Sequence, residues 1–355
     1  MRLPFFGRDE TFSTHCRAES LFFYAPKNRE GRKIRMNLIL VCALFLLGLL
    51  LIVKGGDWFV DAATWIAEAS GIPKFIIGAT VVSLATTLPE IIVSSLAAAE
   101  GRTQMAIGNA IGSVTANTGL IMAVSVIFLP TVIRRRQFAA KGALMVASTV
   151  LLWLLCLDGR LTLPESLLVL ALFAAFIWEN VRSARQQTSA ADKAAVDKSS
   201  RTVWKNVALF LLGAAGLAVG SDLLVDNGTL LAQALGVSER IIAVTMVAVG
   251  TSLPELVTAV TAIVKKQASM SVGNILGANI IDITVILPLC AFLTGGALTI
   301  APDALAQTLY LDMPVCAVEA ALAVVPTLIF KKFHKLQGVL MLCVYIAYLI
   351  VTVRA

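Results

Sequence analysis

The sequence predicts an all-α polytopic membrane protein of ten transmembrane helices, arranged as two inverted five-helix repeats. Three observations carry that prediction. Of the 355 residues, 58% are hydrophobic and only 14% charged, where a soluble protein carries about 25% charged residues. The chain aligns with itself without a gap when shifted by 165 residues. Lys and Arg gather in alternate connections between apolar runs, the pattern that orients helices in a bilayer.

A span needs about 20 mostly apolar residues. Ten runs qualify: 37–56, 75–99, 105–129, 138–156, 163–181, 204–224, 239–264, 269–294, 305–329 and 336–353. They leave no room for a separate soluble domain. Residues 1–36 precede them. The first 35 hold eight Lys or Arg and lack the apolar core of a signal peptide. Met36 stands directly before the first span, so this segment reads as an extension upstream of a later start. The first repeat is expected at 37–181 and the second at 204–355, joined by a polar linker, 182–203.

Lys54 and Lys74 flank the first connection, Arg134 to Arg136 follow the third span, and six basic residues lie in 182–205, five of them in the linker. Lys265 and Lys266 follow the seventh span, and Lys331, Lys332 and Lys335 the ninth. The even connections hold only Arg102, Arg160 and Arg240. Odd connections and the linker are therefore expected in the cytoplasm, with both termini outside a bacterial-type inner membrane. The net charge of +7 is an orientation signal and implies no nucleic-acid partner. Nothing requires a protein partner either, so a monomer in the lipid bilayer is expected.

Under the 165-residue shift, Gly71 falls on Gly236, Thr80 on Thr245, Leu88-Pro-Glu90 on Leu253-Pro-Glu255, and Gly108-Asn109 on Gly273-Asn274. Asp57 and Asp61 fall on Asp222 and Asp226. Five spans per copy is an odd number, so the second copy enters from the opposite face. Inverted repeats with a site near the midplane, where helices break, are the common plan of secondary transporters.

The breaks are legible. Thr86-Thr-Leu-Pro-Glu90 and Thr251-Ser-Leu-Pro-Glu255 put a proline and a carboxylate inside apolar runs. Proline lacks an N–H and clashes with the carbonyl four residues back. The helix opens near Ala85 and Thr86, and again near Gly250 and Thr251. The prolines alone fit plain kinks equally well, but acids in hydrocarbon mark pathways. Glu90 lies ten residues from the polar end at Glu100, roughly 15 Å of helix. That is half of a hydrocarbon core about 30 Å thick. Glu255 to Lys265 gives the same depth. Asn117 and Asp282 also lie midway along their spans, so four polar residues from four helices fall at one level. Freed carbonyls, hydroxyls and carboxylates together make an all-oxygen cage that suits Ca2+ better than Mg2+.

The runs Gly108-Asn-Ala-Ile-Gly112 and Gly273-Asn-Ile-Leu-Gly277 read first as helix packing through small residues. Asn109 and Asn274 either cap broken helices or ligate. Asp57, Asp61, Asp222 and Asp226 read as interfacial, with ion capture as the sharper alternative. Of the six cysteines, five lie in apolar runs without paired spacing, and they read as small buried hydrophobes. The two histidines, His15 and His334, lie outside the spans. Zinc or copper chemistry is therefore not expected.

The duplicated (T/S)LPE followed by GNxxG(S/A) and then Asn or Asp resembles the alpha repeats of the sodium/calcium exchanger family, within the calcium/cation antiporter superfamily, prokaryotic type. The resemblance spans about 37–353. It implies a cation antiporter, not an enzyme, whose four motif-bearing spans form the core. It also implies that Thr86, Thr87, Glu90, Ser113 and Asn117 ligate cations from the first repeat, and Thr251, Ser252, Glu255 and Asp282 from the second. No cofactor is implied; Ca2+ and Na+ are cargo. Two departures stand out. Ala85-Thr-Thr replaces the usual Gly-Thr-Ser, which keeps a hydroxyl at Thr87. Ala278 replaces a serine, which removes a hydroxyl from an outer sodium site. Proton-coupled relatives tend to carry acids where this chain has Asn117 and Asp282, so the Asn/Asp pair resembles the sodium-coupled branch. The expected function is Ca2+/Na+ exchange by alternating access. The alternative is a Ca2+/H+ antiporter in which Glu90, Glu255 or Asp282 carries the returning proton.

Overall fold

The computed structural model describes residues 38–128, 135–187, 197–235, 250 and 252–354. Its helices are α1 (Leu38–Ser70), α2 (Lys74–Thr86), α3 (Leu88–Ala99), α4 (Thr103–Phe128), α5 (Arg135–Leu155) and α6 (Leu163–Gln187) from the first half. The second half gives α7 (Ser200–Ala234), α8 (Leu253–Val264), α9 (Ala268–Leu293), α10 (Leu305–Phe330) and α11 (Lys335–Arg354). Among the described residues eight helices are long and apolar enough to cross a membrane, or nine when the bent pair α2–α3 counts as one span. Of the expected seventh span, 239–264, the structure describes α8, 12 residues long; residues 239–249 and 251 of that run lie outside the described residues.

Two spans differ from expectation. The first was placed at 37–56 and the sixth at 204–224, but α1 and α7 run for 33 and 35 residues. No proline interrupts either pattern. Helix α1 ends only where Gly71, at φ 73°, turns the chain out ahead of Pro73. Asp57 and Asp61 therefore lie inside α1, not at its outgoing end. Helix also takes up both ends of the segment read as linker. Helix α6 continues to Gln187, and α7 begins at Ser200, where the Ser199 hydroxyl accepts from the Thr202 N–H at 3.4 Å.

Burial sorts the helices. Of the most apolar stretch of α9, 83% is buried, and of α4, 72%, against 22% for α1, α6, α7 and α11. A helix that is apolar all round and buried is a core helix. Helix α9 packs against α2 so closely that a Cβ at Gly78 would meet the Met270 carbonyl oxygen, and one at Gly273 the Phe75 carbonyl oxygen. Helices α1 and α7 cross on glycines in the same way. A Cβ at Gly48 would lie 3.0 Å from the Gly220 oxygen, and one at Gly55 2.9 Å from the Gly213 oxygen. Shifted by 165, Gly48 is Gly213 and Gly55 is Gly220, so each partner of the crossing exchanges with the other.

The connections separate into two ends. At one end β1 (Arg160–Thr162) pairs antiparallel with β2 (Ala297–Thr299). The Thr103 hydroxyl donates to the Thr299 carbonyl at 2.9 Å, and the Ala301 N–H to the Gln104 side chain at 3.4 Å. The second, fourth and eighth connections thus meet. At the other end the Phe138 ring packs against Phe75 and Phe333, which brings the first, third and ninth connections together. Helix α10 contains Pro326, which strips the Leu322 carbonyl of its helical donor. The buried Gln337 amide fills the gap, donating to the carbonyls of Leu322 and Ala323 at 2.8 and 2.9 Å and to the Thr327 hydroxyl at 2.8 Å. A proline is tolerated at this depth because a neighbouring helix satisfies the backbone it opens.

Candidate cation-binding centre

Pro89 and Pro254 each sit in the first turn of a short helix, where a missing N–H costs least. The residue preceding each helix takes the same bent conformation: Thr87 at φ −84°, ψ −4°, and Ser252 at φ −91°, ψ 9°. The first copy bends by 44° there, between α2 and α3. Glu90 and Glu255 fall in the first turns of α3 and α8, where the positive end of the helix dipole favours an anion.

Both glutamates are buried, at 1% exposure each. Thr87 bridges the copies, its hydroxyl donating to Glu255 Oε1 at 3.5 Å. The Thr86 hydroxyl reaches both the Ser83 carbonyl and Asn274 Oδ1, at 3.3 Å each. Glu90 interacts electrostatically with Glu255 and Asp282, and Asp282 with Glu255. Three acids from three helices and both repeats therefore converge.

Asn117 and Asp282 occupy equivalent places. Each is the first residue of a π-helical turn, Asn117–Met122 in α4 and Asp282–Ile286 in α9. Such a widened turn shifts the helical register at a functional position. The sequence showed no sign of it. Ser113 lies one turn before Asn117 and is buried. Neither oxygen of Asp282, nor Glu90 Oε2, Glu255 Oε2, Asn117 Oδ1, Ser113 Oγ or Ser252 Oγ, has a hydrogen-bond partner among the described residues. Buried oxygens in native proteins normally find donors. Unpartnered oxygens on these neighbouring elements could serve as donors to a cation. Among the described residues no three His, Cys, Asp or Glu gather tightly enough to hold a metal alone. A cation here must draw on hydroxyl, amide and carbonyl oxygens as well, which suits hard ions.

Of the sequence-predicted ligands, Glu90, Glu255, Asp282, Thr86 and Thr87 are brought together, with Asn117, Ser113 and Ser252 buried on the same elements. Thr251 lies outside the described residues. The two asparagines left open have separate partners. Asn109 Nδ2 donates to Ser94 Oγ at 2.9 Å, tying α4 to α3, and Asn274 accepts from Thr86 at the break. Asp57 and Asp61 are ion-paired: Lys265 Nζ lies 3.3 and 2.8 Å from their carboxylates. Three buried polar residues escaped sequence reasoning. Asn279 Nδ2 donates to the Thr118 hydroxyl at 2.7 Å across the two π-turn helices. Lys141 is fully buried beside Ser183 Oγ, at 3.5 Å, and over the Phe75 ring. Glu319 is fully buried in α10. All three lie in apolar runs, which makes each visible as an outlier, but none repeats under the shift.

The model of the family described as sodium/calcium exchanger protein matches residues 40–181 and 205–354. An uncharacterized membrane protein of Methanocaldococcus jannaschii is 34% identical over 316 residues, covering 87% of this chain and 97% of its own. The inner membrane protein YrbG of Escherichia coli is 36% identical over 265 residues, covering 73% and 82%. The solved sodium-calcium exchanger NCX_Mj, in crystals soaked with Na+ and Sr2+, superposes with a TM-score of 0.74 at 30% identity, over 87% of this chain and 98% of that one. With the family model matching both halves around the paired glutamates, this chain belongs to the sodium/calcium exchanger family, a multi-pass membrane transporter and not an enzyme.

Proposed function

We propose that the protein exchanges Ca2+ for Na+ across the membrane by alternating access, with Glu90, Glu255 and Asp282 at the centre and Asn117, Thr86, Thr87, Ser113, Thr251 and Ser252 completing the oxygen cage. The observation that carries this reading is the set of buried, partnerless oxygens on broken helices around three interacting acids. Taking charged groups out of water is costly unless opposite charge arrives, so the acids favour a bound cation over an empty, closed centre. That makes exchange obligatory: the gates close only over a cation. The names of the relatives support the pair of ions, since a Methanosarcina acetivorans protein called sodium/calcium exchanger MaX1 is 27% identical over 351 residues.

Ten spans in two inverted repeats, at 37–181 and 204–355, is part of the same proposal. The exchanging glycine pairs of α1 and α7 support it, as does the division of connections between two ends. The basic end holding the first, third, seventh and ninth connections, with the linker 182–203, faces the cytoplasm; both termini face outside. Helices α1 and α7, among the least buried, slide over the core to expose the centre to either face. The protein works as a monomer.

The test is a sodium gradient with pH clamped, imposed on proteoliposomes. Ca2+ movement against it supports sodium coupling. Uptake driven by a pH gradient in sodium-free vesicles would replace that reading with Ca2+/H+ exchange through the same acids. Ca2+ loss without any counter-cation would refute both.

A further inference from the structure

The buried acids among the described residues are Glu90, Glu255, Asp282 and Glu319. The cation centre uses the first three. Glu319, on α10, is 0% exposed, and neither of its oxygens has a hydrogen-bond partner among the described residues. No Lys, Arg or His pairs with it there. Its carboxyl presses on the π-turn that begins at Asn117: a Cβ built at Gly119 would lie 2.8 Å from Glu319 Oε1. Cys316, one turn earlier on α10, interacts electrostatically with both Asp282 and Glu319. Glu319 therefore stands directly behind the wall of the centre.

The groups around it offer no counter-charge. On its own helix lie Cys316 and Asp312. From α11 come Tyr345, which interacts electrostatically with Glu319, and Tyr348, whose hydroxyl donates to Asp312 at 3.1 Å. From α4 come Gly119 and the Thr115 hydroxyl, the latter already bonded to the Ile111 carbonyl at 2.9 Å. On α5, packed against α10 through Gly142 and Val324, Lys141 is directed to Ser183 and Phe75 and interacts with Glu179. An ionised carboxyl left so is expensive in a dry interior. It becomes affordable when positive charge arrives within the same low-dielectric region.

We propose that Glu319 is a proton-binding site linked to the cation centre, giving up its proton when a divalent ion binds and retaking it when the ion leaves. This rests on the Ca2+ reading above and adds a proton to it. The step balances without a further reactant. The carboxylic O–H bond breaks, its electron pair stays on the Glu319 carboxylate, the proton passes to bulk water, and Ca2+ in the centre supplies the compensating charge. Sodium-driven exchange then depends on pH although no proton gradient drives it.

The experiment measures protons released by purified protein in weak buffer with a pH-indicator dye as Ca2+ is added, with bound Ca2+ measured in parallel. Glu319→Gln is expected to keep Ca2+ binding and release about one proton fewer per bound ion than the native chain, and its exchange rate should lose pH dependence. Equal release by the two proteins, with Ca2+ bound by both, overturns the Glu319 assignment and leaves the exchange reading standing. Native protein that binds no Ca2+ overturns both. Glu319→Asp carries the test if the amide variant does not fold. The infrared carboxylic-acid C=O band that Ca2+ removes should differ in frequency between this variant and the native chain, and an unmoved band overturns the assignment.

Discussion

At Thr87 and Ser252 the backbone bends the same way, and 30 residues further on Asn117 and Asp282 open the same kind of π-turn. The side chains then diverge. The first copy places an amide where the second places an acid, and Ser113 stands where the second copy has Ala278. The two stretches share the backbone break and the π-turn and differ in the charge they carry. The centre is nearly two-fold in geometry and lopsided in electrostatics, with the extra acid, Asp282, on the second copy.

The largest effects should come where the copies agree. Glu90→Gln and Glu255→Gln each remove a buried charge from the centre and leave the shape intact. A buried charge partner is worth about 2–5 kcal/mol, so each variant should lose at least about 30-fold in Ca2+ transport, with unchanged expression and fold. Retention of transport by either, measured as Ca2+ flux in proteoliposomes, would remove the glutamates from the site.

Next come variants that erase the difference. Asp282→Asn makes both π-turns begin with an amide and should weaken Ca2+ transport by about 10–100-fold, since one acid of three is lost. Asn117→Asp makes both acidic. The added carboxylate has no new counter-charge and must take a proton in the dry interior, so exchange should become steeply pH-dependent. Flux that stays flat with pH in Asn117→Asp would show that the two positions do not share one electrostatic field.

These expectations also mark what the sequence could and could not reveal. The paired Pro-Glu breaks were legible because each leaves a proline and an acid where hydrocarbon tolerates them poorly. The π-turns were not, because a widened turn is set by packing between helices and has no fixed residue signature. The lengths of α1 and α7 were missed for a related reason. Polar residues such as Asp57 looked like the end of a span, but their charge is met by Lys265, 208 positions away in sequence. Glu319 has no counterpart under the shift, since position 154 of the first copy is a leucine, so the repeat does not point to it.

A smaller effect should follow at the opened turn of α10. Gln337→Leu leaves the carbonyls of Leu322 and Ala323 without their side-chain donor beside Pro326. Losing donors to buried acceptors costs about 1–3 kcal/mol. The purified variant should show a lower apparent Tm with exchange intact at low temperature. An unchanged Tm would mean that the two carbonyls do not depend on the Gln337 amide.

The smallest effect tests a second asymmetry, between α1 and α7. Lys265, just past α8, donates to the Asp57 carbonyl oxygen at 3.0 Å and pairs with the carboxylates of Asp57 and Asp61, fastening α1 to the core. Its counterpart under the shift is Glu100, which turns to Arg102. Among the described residues no ion pair fastens Asp222 or Asp226 of α7 in return. Among the described residues α1 is latched by an ion pair and α7 is not. The latch is partly exposed, with 25% of the Lys265 side chain and 63% of that of Asp61 accessible, so it is worth about 0.2–1 kcal/mol. Lys265→Met should therefore change the exchange rate by at most about fivefold. The change should fall on whichever half-cycle requires α1 to move away from α8, and should shrink at high salt as the pair is screened. Equal changes in both half-cycles, or a salt-independent one, would mean that Lys265 acts through packing of its stem and not through its charge.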